Sequence, residues 1–237
     1  MHHEQQRFRT YPETPESFPI EAAIFDLDGL LVDTEELWFE TCQRVLSEYG
    51  VRMQEKHRIE LMGRGKLSSF FVERFGVQDS LKSISEKIWG TFLNLAEAGL
   101  KPMPGAVKSV KLLSSRLELG VASSAHTNYV EMVINQLGVK KHFKALIGGD
   151  QVEKAKPAPD VFLKTAALLR VDPKHCVVLE DSPNGLAAAK AANMFCLAVP
   201  NRYLQDGDFS QADLQIPSLE SLDFETLQLL VDSRIKN

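Results

Sequence analysis

Cysteine is scarce in this chain: Cys42, Cys176 and Cys196 are the three present, far apart and set among apolar neighbours. An odd number at such spacings excludes a disulfide framework, and without a Cys-x-x-Cys or a paired histidine a metal site on them is not expected. Reduced, buried thiols in the cytoplasm are the expectation. No apolar run approaches the ~20 residues that cross a bilayer, so no membrane span is expected. Positive charge is in deficit. With 27 Lys and Arg against 32 Asp and Glu the net charge is -5, which gives no general attraction to nucleic acid or anionic membrane but still allows a local basic pocket. Residues 1–19 hold three prolines and lack an apolar signal core, so they read as a disordered leader and secretion is not expected. Internal repeats and low-complexity tracts are also missing.

What is present is an ordinary globular composition, 44% hydrophobic and 25% charged, in 237 residues, enough to bury a full core. The most informative stretch runs from Ala22 to Glu35. Its apolar start reads as a buried strand that runs into two carboxylates separated by one residue. In extended backbone residues i and i+2 share a side, so Asp26 and Asp28 project into one small space. Two like charges there are costly unless a cation lies between them or one carboxyl stays protonated, and both arrangements serve chemistry.

Beyond this stretch the spacing predicts helices over 35–49, 66–75 and 83–98, with no convincing strand between Thr34 and Lys101. That segment reads as a helical insertion of domain size, and Lys101-Pro102-Met103-Pro104-Gly105 as a rigid connector or hinge at its exit. The expected division is a leader over 1–19, a core of 20–34 and 103–237, and a helical cap over 35–102. The rest alternates short apolar strands (119–123, 145–148, 176–179, 195–199) with helices (128–137, 159–169, 185–192). This is the rhythm of an α/β fold with a doubly wound parallel sheet, whose ligands bind beyond the carboxyl ends of the strands. Collected at those ends are Asp26, Asp28, Ser123, Ser124, Glu180, Asp181 and Ser182, with Lys154 and Lys156 on a nearby loop. Hard oxygen ligands from Asp26 and Asp181, completed by a backbone carbonyl and water, suit Mg²⁺.

Phe25-Asp26-Leu27-Asp28-Gly29, Ala122-Ser123-Ser124, Lys156-Pro157 and Glu180-Asp181-Ser182, in this order, resemble the four motifs of the haloacid dehalogenase superfamily. More narrowly the chain is similar to its β-phosphoglucomutase-like and sugar-phosphatase-like branch, with a Rossmann-like core and a helical cap inserted after the first motif. The resemblance implies a Mg²⁺-dependent phosphatase acting on a small phosphorylated metabolite, a sugar phosphate or a nucleoside-type monophosphate. It implies Asp26 as the nucleophile that forms an aspartyl phosphate, and Asp28 as the acid and then the base. Lys156 would offset charge on Asp26 and the phosphate. Ser123 and Ser124 would bind the phosphate, with N–H groups at the helix start near Thr127 turned to the same anion. The implied metal ligands are Asp26, Asp28, Asp181 and Glu180, the last of these open to a supporting role instead. In the cap, Lys66 of Gly63-Arg64-Gly65-Lys66 matches an arginine that the mutase pattern uses for the substrate's far phosphate, and keeps its charge without the bidentate fork. Trp38 stands where that pattern has a histidine, which favours a hydrolase over a mutase. A phosphomutase is the alternative enzyme; outside enzymes, a phospho-accepting receiver or a silent ligand-binding protein are the alternatives. A monomer is expected, with a dimer compatible.

Overall fold

The computed structural model describes residues 20–61, 66–202, 204 and 207–235. The expected leader and the Gly63-Arg64-Gly65 loop lie outside the described residues. The chain runs β1 (Ala22–Phe25), β2 (Val32–Asp33), α1 (Glu35–Glu48), α2 (His57–Leu61), α3 (Leu67–Phe75), α4 (Leu81–Glu97) and β3 (Lys101–Pro102). It continues through α5 (Ala106–Leu113), β4 (Glu118–Ala122), α6 (Thr127–Gln136), β5 (Ala145–Ile147), α7 (Asp160–Leu169) and β6 (Cys176–Glu180). The last elements are α8 (Pro183–Ala191), β7 (Phe195–Ala198), β8 (Leu214–Gln215) and α9 (Phe224–Ile235).

Six strands form one parallel sheet in the order β5-β4-β1-β6-β7-β8. Strand alternation explains its two covered faces. Ala23 and Phe25 of β1 join one apolar cluster with Val110 of α5, Val130 of α6 and Leu227 of α9. Ala22 and Ile24 join another with Phe162 of α7 and Ala188 of α8. Both faces are buried, which is why these strands read as continuous apolar runs rather than alternating ones.

A third cluster gathers Phe39, Cys42, Val45 and Leu46 of α1 with Phe70 and Phe71 of α3 and Ile84 and Ile88 of α4. Helix α4 starts on a clear signal, Ser80 Oγ accepting from the Ser83 N–H at 3.1 Å. Its later residues, Phe92 and Ala96, pack into the sheet's first cluster instead, so α4 bridges the two. Within the connector read at Lys101–Gly105, Lys101 and Pro102 pair antiparallel with Asp33 and Val32, closing a two-stranded flap. Two residues per strand carry no periodicity to read. All three cysteines are buried and unbridged, and burial raises their thiols, Cys42 and Cys176 to about 12. Among the described residues no helix is long and apolar enough to cross a membrane.

Candidate active site

The register of the sheet assembles the site. Phe25 lies level with Val121 of β4 and Leu179 of β6, so Asp26, Ala122 and Glu180 leave the sheet together. The Asp26 N–H continues the ladder, donating to the Leu179 carbonyl at 3.0 Å. Strand order reverses between β1 and β6, the crevice where such sheets take ligands.

Lys156 lies in that crevice with its side chain only 6% exposed, and its Nζ donates to Asp26 Oδ1 at 2.6 Å and to Glu180 Oε2 at 2.9 Å. Burial works against its charge, but the two carboxylates outweigh burial and hold the ammonium above its ordinary range. Asp26 moves the other way from a free carboxylate: burial first and the Glu180 charge second push it up to about 8, against the pull of Lys156. Asp181 is raised by burial and by Asp26 and Glu180. The carboxylates of Asp26, Glu180 and Asp181 all approach within 4.8 Å of one another. Three acidic groups facing one ammonium leave surplus negative charge in a buried place. An all-oxygen donor set of this kind fits a hard divalent cation, which would remove the mutual repulsion.

Two glycines make this crowding possible. Gly29 has φ +84°, and a Cβ there would enter the Asp181 carboxylate. At Gly185, near the start of α8, a Cβ would overlap the carboxylate of Glu180. Glu180 also accepts from Ser182 Oγ at 2.8 Å, and the same hydroxyl accepts from the Gly185 N–H at 3.1 Å to cap α8.

Asp28, counted with the metal ligands from the sequence, stands apart from that cluster. Its Oδ1 accepts from the Tyr129 phenol at 2.8 Å. Burial raises its carboxyl, while the Tyr129 bond, Lys156 and the hydroxyls of Thr34 and Ser123 oppose the rise. Ser123 is buried and Ser124 exposed, and both line the same crevice, a cavity of about 250 Å³ that also touches Asp26, Asp28, Lys156 and Asp181. Lys154, the other lysine of that loop, is exposed and does not line it.

One expectation is overturned. The Thr127 N–H at the start of α6 is turned not to the crevice but to Asp150 Oδ1, at 2.7 Å, and Thr127 Oγ1 donates to the same oxygen. A carboxylate already occupies that helix terminus, and its own titration is lowered by these bonds. Asn201 was not foreseen: its Nδ2 donates to Asp181 Oδ2 at 2.6 Å from just beyond β7. The rule that pointed to the other strand ends would have found it.

A larger cavity of about 590 Å³ opens among the inserted helices, and Lys66, exposed at the start of α3, lines it with Arg58, Trp38 and Trp89. Lys66 therefore belongs to a second chamber rather than to the carboxylate crevice. Glu35 borders both chambers, its carboxyl raised by burial and then by Asp33 and Asp28.

Residues 23–199 match the model of the family described as haloacid dehalogenase-like hydrolase, about three quarters of the chain. The chain belongs to this family. It is 33% identical over 211 residues to Hexitol phosphatase B of Escherichia coli (strain K12), covering 85% of this chain and 93% of that protein. It is 33% identical over 178 residues to the phosphorylated carbohydrates phosphatase of Thermotoga maritima, covering 74% and 82%. Among solved structures, β-phosphoglucomutase from Clostridium difficile superposes with a TM-score of 0.72 at 26% identity, over 92% of this chain and all of that one. Parallel core and inserted helices are thus those of a haloacid dehalogenase-like hydrolase, and the clustered carboxylates at the strand ends are its candidate site.

Proposed function

We propose that this phosphoric monoester hydrolase is a Mg²⁺-dependent phosphatase of small phosphorylated sugars or polyols, working through an aspartyl phosphate on Asp26. The observation that carries the reading is a buried carboxylate fixed by Lys156 at 2.6 Å, with a second carboxylate two residues on, at the mouth of one cavity. Lys156 holds Asp26 through Oδ1, which leaves Oδ2 as the atom that attacks phosphorus. Asp28 gives its proton to the departing alcohol oxygen and then takes one from the water that cleaves the aspartyl phosphate. Ser123 and Ser124 bind the phosphate oxygens. Asp26, Asp181 and Glu180 would hold Mg²⁺, and the ion would supply neutralisation of charge spread over the phosphoryl oxygens. The larger chamber holds the rest of the substrate, with Glu35 accepting hydroxyls and Arg58 and Lys66 among its lining.

The two phosphatases that the chain is similar to support a carbohydrate substrate. The mutase likeness favours a second reading, reuse of the phosphoryl group on a bisphosphate. Against it, Trp38 replaces the histidine of the mutase pattern, and its ring stacks on Phe92 at 3.9 Å with no protonatable nitrogen to offer. A screen of sugar, polyol and nucleoside monophosphates with Mg²⁺ decides between the readings. Stoichiometric free phosphate is expected from one or more polyol or sugar phosphates, and Lys66→Ala should cost more on the longer ones. Isomerised product without free phosphate would establish the mutase instead.

The carboxylate cluster also makes the metal visible without turnover. Asp26 has an ordinary value of 3.8 and a folded value of about 8, so its contribution to stability is present below about pH 4 and is lost as pH rises towards 8. Mg²⁺ competes with that proton, so its stabilising effect must grow over the same interval. At a Mg²⁺ concentration about 100-fold above its dissociation constant the expected rise in Tm is roughly 5–10 °C near pH 8. Near pH 5.5 the rise should be clearly smaller. Equal Mg²⁺ effects at both values would detach the ion from this cluster.

A further inference from the structure

Tyr129 was not singled out by any sequence motif, and it occupies an unusual position. It sits on α6, a helix of the sheet domain, 1% exposed. Its phenol donates to Asp28 Oδ1 at 2.8 Å. Its ring meets two side chains of the inserted helix α4: Trp89 at 5.9 Å in an edge contact and Phe92 at 5.4 Å. Those two are stacked on one another at 5.5 Å, and Trp38 of α1 stacks on Phe92 at 3.9 Å. One side chain therefore touches, through its hydroxyl, the carboxylate two residues beyond Asp26 and, through its ring, the aromatic stack of the helices that enclose the larger chamber.

The chemistry of that bond is directional. A phenol hydroxyl that donates to Oδ1 disfavours a proton on that oxygen, so the acid form of Asp28 carries its proton on Oδ2. Oδ2 is then the atom that can face the leaving oxygen: the Oδ2–H bond breaks, the new O–H forms on the alcohol, and the phosphorus–oxygen bond of the ester breaks. A carboxylate free to rotate would present the wrong oxygen for part of the time, and a misplacement of this size is expensive in a reaction that depends on alignment. The ring contacts add a condition. Tyr129 is held where its hydroxyl reaches Asp28 by packing that includes α4, so a shift of α4 away from α6 would release the ring and with it the carboxylate.

We infer that Tyr129 is a positioning residue for Asp28, its phenol fixing the carboxylate with Oδ2 towards the leaving oxygen while the α4 aromatics pack on its ring. This rests on the reading of Asp28 as general acid, and the test separates the two. Tyr129→Phe and Asp28→Asn are each assayed by single-turnover release of the alcohol from glycerol phosphate, which needs protonation, and from p-nitrophenyl phosphate, which does not. For Tyr129→Phe, the single-turnover rate constant on glycerol phosphate should fall about 10-fold to 100-fold, part of the ~10²–10⁴ that a positioned acid contributes. The half-saturating concentration should stay within about two-fold, and the loss on the aryl ester should be much smaller than on the alkyl ester. Asp28→Asn should show the same contrast, enlarged. If Asp28→Asn shows it and Tyr129→Phe loses equally on both esters, the phenol is merely structural and the inference fails while Asp28 keeps its role. If neither shows it, Asp28 is not the acid and both ideas fall.

A double-mutant cycle reads the link to α4. Trp89→Leu should lower the single-turnover rate constant on glycerol phosphate in the wild-type background and have much less effect when Tyr129 is already Phe. Independent, multiplying effects would break the proposed connection through the ring.

Discussion

Replacing Asp26 by Asn should abolish phosphate release without weakening the fold. The amide keeps the shape of the carboxylate and can still accept from Lys156, but it is a far poorer nucleophile, and removal of a nucleophile in hydrolases costs on the order of 10⁶-fold. Stability should move in the opposite direction. Asp26 is raised to about 8 because burial and the Glu180 charge both oppose its ionised form, so a neutral amide relieves repulsion that the metal-free protein otherwise carries. We expect an unchanged or higher Tm in EDTA at about pH 8, together with a smaller Mg²⁺-induced rise, since one of the three proposed charged ligands is gone. Phosphate release is followed on the best substrate of the screen, and Tm by thermal unfolding with and without Mg²⁺. A folded variant that retains substantial turnover would remove Asp26 from the nucleophile's place, and a large fall in Tm would mean that the carboxylate is there for structure.

The separation of activity from stability at Asp26 reflects how the site was legible in the sequence. Strand ends were readable because β1 and β7 are fully buried apolar runs and β4 and β6 are buried and apolar apart from a terminal glutamate, and the parallel register carries their ends to one level. Asp26, Asp28, Ser123, Ser124, Lys156, Glu180 and Asp181 accordingly meet at one cavity. What was not legible depends on contacts between segments remote in sequence. Tyr129 and Asp28 are 101 residues apart, and nothing in the pattern Thr127–Gln136 distinguishes a core tyrosine from one whose hydroxyl holds a carboxylate. Asp150 is similar: that it, and not a ligand, would occupy the start of α6 depends on the short loop after β5 folding back across 23 residues. The flap of Val32–Asp33 on Lys101–Pro102 and the short edge strand Leu214–Gln215 were missed because two residues cannot show a period.

Lys156→Met should be damaging to both activity and stability, and the two losses should respond differently to conditions. The ammonium is buried, bonded to Asp26 and Glu180 and seated 4.7 Å from the Phe162 ring centre. Methionine fills much of the same space but leaves these carboxylates without their cation. Removing one partner of a buried pair costs about 3–5 kcal/mol, which for a chain of this size corresponds to a fall in Tm of roughly 6–20 °C. Asp26 can escape part of that penalty by taking a proton, because its carboxyl is already raised. The destabilisation should therefore be smallest at acid pH and grow as pH rises past about 8. Mg²⁺ should recover part of the stability, because a divalent ion neutralises the same carboxylates. It should not recover the rate, because in the proposed reaction the lysine both fixes Asp26 Oδ1 and offsets charge on the phosphate, and loss of such an electrostatic group costs on the order of 10²–10³-fold. Thermal unfolding across pH, with and without Mg²⁺, and phosphate release at saturating Mg²⁺ measure both. A variant with wild-type Tm at about pH 8 would show that the pair contributes no net stability. Recovery of the rate by Mg²⁺ alone would reduce Lys156 to a counter-ion of the carboxylates.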